Sequence, residues 1–257
     1  LTGFIKAYDH SEGAIASDFS ARGAMITATE GAKVLVDGMT IYTDGFVRAA
    51  LIADEHGQVM VKDSRITVMG ADPLTEAYDG YLNSADQSIM ISPPWVLGIQ
   101  GGVRLANMLG GNSTLTVIDS KAKSGGWGVL STDAGSNFMM NVVDSKLEIL
   151  PEKRGGMSSG NFSYSKKYGS GYGTYLIGSA TENFYGTTFK GTTYASILTG
   201  GDAYYMSSCG EIALMDGDGA LIDTIAGKCK PTRIQSVFGF MTHNSGSIHV
   251  MDGTVVQ

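Results

Sequence analysis

The sequence predicts an all-β chain wound as a right-handed parallel β-helix with long loops inserted along one edge. Three observations carry that reading: a short internal repeat, apolar residues alternating with period two inside it, and an Asp turn that closes each alternating run. From Arg22 the chain repeats at a spacing of 26 residues, with Arg22-Gly23-Ala24-Met25-Ile26 returning as Arg48-Ala49-Ala50-Leu51-Ile52. Repeats of this length, built from short strands and polar turns, are the signature of a solenoid.

One recurrent segment opens on Gly or Ser, places apolar residues two and four positions on, and closes on Asp with a small residue. Its copies end at Asp63-Ser64, Asp119-Ser120, Asp216-Gly217 and Asp252-Gly253, with looser copies at Asp37 and Asp144. Alternation marks a strand with one buried face, and Asp-Gly or Asp-Ser is turn chemistry, so these Asp residues are structural. A second segment starts with a large residue, then a small one, with an apolar residue three positions after the first. Its copies begin at Arg22, Arg48, Trp127, Tyr172, Tyr194 and Phe238, and Trp95 opens a degraded copy. If the second and fourth positions face inward, the first forms an external column stacked at about 4.8 Å per turn of the helix.

A third apolar piece follows the Asp turn, as in Arg65-Ile66-Thr67-Val68 and Lys146-Leu147-Glu148-Ile149. Three short strands per repeat, each pairing with its copies above and below, meet the requirement of a right-handed parallel β-helix. On this profile residues 20 to 257 resemble the pectate-lyase-like β-helix superfamily. That resemblance implies a polysaccharide lyase or glycoside hydrolase, but the family strings are missing. The nearest to the polygalacturonase-like set are Ser131-Thr132-Asp133 and Arg65-Ile66-Thr67, without a Gly-His-Gly, and no Trp-x-Asp-His is present.

The 36 Gly, 17% charged and 43% hydrophobic residues suit tight turns around a narrow core. The repeat runs almost end to end, which predicts one domain over 1–257 with residues 1–21 as a cap. A net charge of −7 without a basic run argues against nucleic acid as a partner. No apolar stretch reaches the length of a membrane span. The chain begins at Leu1 without Met, which fits a removed leader and a secreted or cell-surface location. Cys209 and Cys229 are either a disulfide fastening the loop after residue 220 or two reduced buried thiols. No Cys/His spacing suggests a metal, no cofactor is expected, and Asp216-Gly-Asp218-Gly lacks the further ligands of a calcium loop.

The interruptions of the repeat point to function. The stretch from the turn Asp to the next bulky position is short after Asp37 and much longer after Asp63, Asp144 and Asp216. These insertions, about 71–94, 151–171 and 221–237, are predicted to leave from one edge and wall a cleft over the external column. Trp95, Trp127, Tyr194 and Phe238, with Arg154 and Lys166, are the candidate substrate-binding residues, for a carbohydrate or another flat ligand. For elimination from a uronic acid, Lys167 or Tyr172 is the candidate base and Arg48, Arg154 or Lys166 the charge stabiliser. Hydrolysis would draw its carboxylates from Asp72, Glu76, Asp79 or Asp202. Asp133 and His243-Asn244 are read as turn caps. Two further readings stand beside the carbohydrate enzyme: a noncatalytic surface or structural module, and an enzyme for a small aromatic substrate. A homo-oligomer joined through the aromatic column is also predicted as an alternative use of that face.

Overall fold

The computed structural model describes residues 24–44, 49–69, 104–125, 128–150 and 171–257. Among them the chain is all-β, without helices, and its mostly parallel strands form curled sheets. Each pass of the chain visits three ranks of strands in the same order. The first four passes are β1 (Ile26–Ala28), β2 (Lys33–Asp37), β3 (Thr40–Asp44); β4 (Leu51–Asp54), β5 (Gln58–Lys62), β6 (Arg65–Met69); β7 (Arg104–Gly111), β8 (Thr114–Ile118), β9 (Lys121–Ser124); and β10 (Gly128–Ser136), β11 (Phe138–Val143), β12 (Lys146–Ile149). Then come β13 (Tyr172–Ile177), β14 (Ala180–Tyr185), the long β15 (Thr188–Thr199), β16 (Asp202–Met206), β17 (Glu211–Met215), β18 (Leu221–Ala226), the long β19 (Thr232–Thr242), β20 (Ser247–Val250) and β21 (Thr254–Val256).

The second-rank strands make a seven-stranded parallel sheet, β2-β5-β8-β11-β14-β16-β20. First- and third-rank strands share a twelve-stranded sheet, because β15 belongs to both. Its start pairs with β12 and its end with β13, with an irregularity in its pairing to β19 between Lys190 and Thr192. A strand that rounds the corner without leaving the ladder needs a bulge there, and Gly191 supplies it at φ 69°. This three-rank, pass-on-pass pairing is compatible with the predicted solenoid.

The corner between second and third ranks shows why the Asp turn recurs. Asp63, Asp119 and Asp144 sit at φ 48°, 48° and 50°, left-handed conformations that Asp tolerates better than most residues. The next residues stack as a buried hydroxyl ladder. Ser64 N donates to Ser120 Oγ at 3.0 Å, Ser120 N to Ser145 Oγ at 3.0 Å, and Thr187 N to Thr232 Oγ1 at 3.1 Å. Each serine hydroxyl in turn donates to the carbonyl two residues before it, at 2.7 Å, so each hydroxyl is partnered within the chain.

Inside, Val59, Val61, Leu115, Val117, Met140 and Val142 from the second rank meet Leu51, Ala53, Met108, Leu130, Leu176 and Leu198 from the first. Phe184 stacks on Tyr205 with ring centroids 4.8 Å apart, and Phe189 meets Phe184 edge-on at 5.0 Å. Gly173 faces this cluster, and a Cβ there would overlap the Phe189 ring. At Gly173 the small residue in the second position of the repeat is therefore inward, with no room above it.

Four expectations are corrected. The undisturbed repeat is 25 residues: Ile26 lies opposite Leu51, Lys33 opposite Gln58 and Thr40 opposite Arg65. Three first-rank passes carry two successive core residues, Ala50-Leu51, Leu105-Ala106 and Val129-Leu130, whereas Tyr175, Ile197 and Met241 belong to a separate outer cluster, so the fourth position of the bulky segment does not face inward throughout. Gly210–Asp216 is not a pass of the ladder. Its strand, β17, pairs antiparallel with β18, and the true second-rank strand is β16. Consequently the third insertion leaves from the corner between second and third ranks, whereas 71–94 and 151–171 fall between third and first ranks.

The β17–β18 hairpin folds back over the second sheet. Ile212 and Leu214 pack on Ile118 and Val143, Asn141 Nδ2 donates to Met215 O at 2.8 Å, and Gln58 Nε2 donates to Asp216 Oδ2 at 3.0 Å. Cys209 and Cys229 are joined in a disulfide across its base.

Candidate functional site

The outer face of the first-rank strands is where the sequence places the ligand column, and the ladder defines what stands there. Arg104 pairs with Gly128, Gly128 with Tyr172, Tyr172 with Tyr194, and Tyr194 with Phe238. Three residues on, a second outward column runs Asn107, Ser131, Tyr175, Ile197 and Met241 in the same register.

Tyr172, Tyr194 and Phe238 therefore stand in one column, as predicted. Gly128 lies opposite Tyr172, and Leu51 lies opposite Ala106, which puts Ala49 in the register of the column. Arg48, Trp95, Trp127, Arg154, Lys166 and Lys167 themselves lie outside the described residues, as do Asp72, Glu76 and Asp79.

Along the column the environment changes from closed to open. Tyr172 is fully buried and Tyr175 nearly so, the two rings lying 5.4 Å apart, with Ile197 opposite Tyr175 on the next pass. Tyr194 is half-buried, and its ring stacks on Phe238 at 5.1 Å and 27°. Phe238 is 45% exposed. Burial pushes the phenols of Tyr172 and Tyr175 above their ordinary range, with Arg104 opposing in both and Asp133 adding to the rise. That direction keeps the Tyr172 proton on oxygen, which is the opposite of what a general base requires.

Beside Tyr172 lies a polar cluster that the sequence reading missed. Arg104, fully buried, forms an ion pair with Asp133 and donates to Ser131 Oγ at 3.3 Å. Ser131 Oγ donates to Asn107 Oδ1 at 2.9 Å, and Asn107 Nδ2 to Asp133 Oδ2 at 3.3 Å. Asp133 is thus a strand residue of β10 committed to a guanidinium, not the turn cap it was read as. A signal was present: Ser131-Thr132-Asp133 matches the resemblance's catalytic string in part, and Arg104 is an isolated charge at the start of an apolar strand. Contacts with Arg104 and Asn107 tie Asp133 to the neighbouring strand.

The remaining described candidates stand away from the column. Asn244, at φ 69°, turns the chain beside the His243–Ser245 bridge. Asp216 Oδ1 accepts from the backbone N–H of Asp218 and Ala220, and Asp218 Oδ1 accepts from Asn112 Nδ2 at 2.7 Å, so both carboxylates hold the hairpin tip. Asp202 lies on the second sheet, 4.0 Å from His249 and away from the aromatic column. No helix among the described residues is long and apolar enough to cross a membrane.

Comparison with known proteins finds no matching family model, no similar curated protein and no similar solved structure.

Proposed function

We propose that the chain is a right-handed parallel β-helix whose outer first-rank face binds a carbohydrate, as a recognition module rather than through catalysis by Tyr172. Right-handedness is the expectation for parallel strands joined by crossovers in one sheet. The observation that carries the binding reading is the in-register column Tyr172, Tyr194, Phe238, closed at one end and open at Phe238. Aromatic side chains fixed on adjacent strands offer apolar area at small entropic cost, which suits the C–H faces of sugars. Against turnover by these groups stand the retained Tyr172 proton and the Asp133 carboxylate spent on Arg104.

The test is incubation with a panel of neutral and acidic polysaccharides and aromatic glycosides, following binding and products by mass spectrometry. Binding without products, reduced about tenfold by Phe238→Ala with the unfolding midpoint held, is the expected result. Products lighter by water at a new unsaturated end, or products that gain water, would replace this reading with a lyase or a hydrolase. An unchanged affinity in Phe238→Ala would remove the column from the site.

A further inference from the structure

The third-rank strands turn two columns of side chains outward, since Ile66, Ala122, Leu147, Phe189 and Ile234 between them are core residues. One column runs Arg65, Lys121, Lys146, Thr188, Arg233 through successive passes, and the other Thr67, Lys123, Glu148, Lys190, Gln235. These two columns hold six of the eleven Lys and Arg residues among the described residues, on a chain with a formal charge of −7. Arg65, Lys121, Lys190 and Arg233 are exposed, and Lys123 and Lys146 are about a third exposed.

The single carboxylate in these columns, Glu148, is shared among three ammonium groups. Its Oε2 lies 2.9 Å from Lys146 Nζ and 3.6 Å from Lys123 Nζ, and its Oε1 3.7 Å from Lys190 Nζ. Burial raises the Glu148 carboxyl, but the three lysines outweigh it and leave it below its ordinary range. Two Asp residues of the adjoining corner are engaged away from these columns. Asp119 is paired with Lys228 Nζ at 2.5 Å, and Asp144 accepts from Ser208 Oγ at 2.7 Å and from Lys228 N at 3.0 Å.

We infer that this basic face binds a linear anionic polysaccharide bearing one carboxylate or sulfate per sugar, laid along the stack of passes. Parallel strands place Arg65, Lys121 and Lys146 about 4.8 Å apart in succession, and a sugar residue is about as long as that spacing. The repeat of the protein and the repeat of the polymer then stay in step over several contacts, each an exposed pair of small individual value. Two outward columns of charge running along successive strands suit an extended ligand better than a compact small molecule. Duplex nucleic acid carries one charge per about 1.7 Å of axis, out of step with columns spaced at about 4.8 Å, and for a single strand Tyr42 at the N-terminal end is the one aromatic in these columns among the described residues. The surface is separate from the aromatic column and does not depend on it.

The experiment measures binding of the intact chain to dextran sulfate, polygalacturonate, neutral dextran and duplex DNA at two ionic strengths. The expected result is binding to the two anionic polysaccharides that weakens with salt, and none to dextran. The variant Arg65→Gln/Lys121→Gln/Arg233→Gln should lose about tenfold or more in affinity, whereas Lys33→Gln/Lys62→Gln/Lys230→Gln, with the same change in net charge on other surfaces, should lose less than about twofold. Glu148→Gln releases three lysines and should bind more tightly, a gain that damage to the fold would not produce. Phe238→Ala should leave this binding unchanged, which separates it from the proposed carbohydrate column. Equal loss in the two triple variants, absence of binding, equal retention of dextran, or tighter binding of DNA than of either polysaccharide would each overturn the inference.

Discussion

Thr174 Oγ1 donates to Glu182 Oε2 at 2.9 Å across the interior between the two sheets, and the other carboxyl oxygen of Glu182, Oε1, is buried without a hydrogen-bond partner. The network continues from Thr174 to Ser196 at 2.6 Å and from Ser196 to the Tyr205 hydroxyl, so a fully buried acid ends a chain of hydroxyls inside an otherwise apolar core. Burial pushes the Glu182 carboxyl up to about 8, with the Thr174 hydrogen bond opposing. The folded pKa is therefore raised above the ordinary 4.5, and between those two values the folded chain holds a proton that the unfolded chain has released. Stability from this group is fully present below the unfolded pKa and falls as pH rises through that window, by up to about tenfold in the folding constant per pH unit. Glu182→Gln keeps the shape and removes the titration. Urea unfolding between pH 5 and 9 is expected to show a downward slope in the wild type that is shallower in the variant, and a variant more stable than wild type at pH 9. Parallel slopes would mean that Glu182 is ionised in the fold.

The disulfide at the base of the β17–β18 hairpin has a local consequence. Ile212 and Leu214 are buried only because the hairpin lies against Ile118 and Val143, and Cys209–Cys229 keeps its two ends together over a sequence separation of 20. A cross-link closing a loop of this size contributes about 3 kcal/mol through the unfolded ensemble. With both cysteines changed to serine, the amides of β17 and β18 are expected to exchange with solvent much faster, while those of β11 and β14 beneath keep their protection. Loss of protection in both sets together would show that the hairpin and the parallel ladder unfold as one unit.

Much of this was legible because the repeat is a local pattern. The alternation in Val59, Val61 and in Leu115, Val117 announces strands, and Asp63, Asp119 and Asp144 mark turns wherever they occur. The register was harder, since two successive inward residues in three first-rank passes shift the alternation by one. Matching bulky side chains therefore placed Trp127 where Gly128 belongs. Glu211–Met215 deceived for another reason: a strand with one buried face has the same pattern whether it lies in the ladder or straps it. Arg104 and Asp133 come from neighbouring passes, and Arg65 and Lys121 are aligned only across residues 71–94, so neither pairing can be read from local spacing.

The Arg104–Asp133 pair makes its own prediction. Arg104 is fully buried, so removing its partner leaves a charge that water cannot reach, at a cost of about 3–5 kcal/mol for a buried pair. Asp133→Asn is expected to destabilise the chain strongly, and Arg104→Met/Asp133→Leu to recover much of the loss, because an apolar replacement strands no charge. Chemical denaturation of the wild type, Asp133→Asn and the double variant checks it. If the double variant were no more stable than Asp133→Asn, the pair would be holding the strands by geometry that apolar side chains do not supply.

Gly128 and Gly239 offer a matched comparison on first-rank strands. At Gly128 a Cβ would overlap the Tyr172 ring on the adjacent strand, whereas at Gly239 nothing lies within 4 Å. Neither glycine has a positive φ, so the contrast is one of packing alone. Gly128→Ala is expected to cost about 1–3 kcal/mol as Tyr172 is driven from its buried position, and Gly239→Ala to cost little. The same account predicts that Tyr172→Ala cancels part of the Gly128→Ala penalty, since the added methyl then enters the space left by the ring. A double-mutant cycle by urea unfolding measures that coupling, which should be of order 1 kcal/mol for side chains in direct contact. Additive effects would mean that the ring is not the obstacle, and that Tyr172 can leave the column without disturbing the strand beneath it.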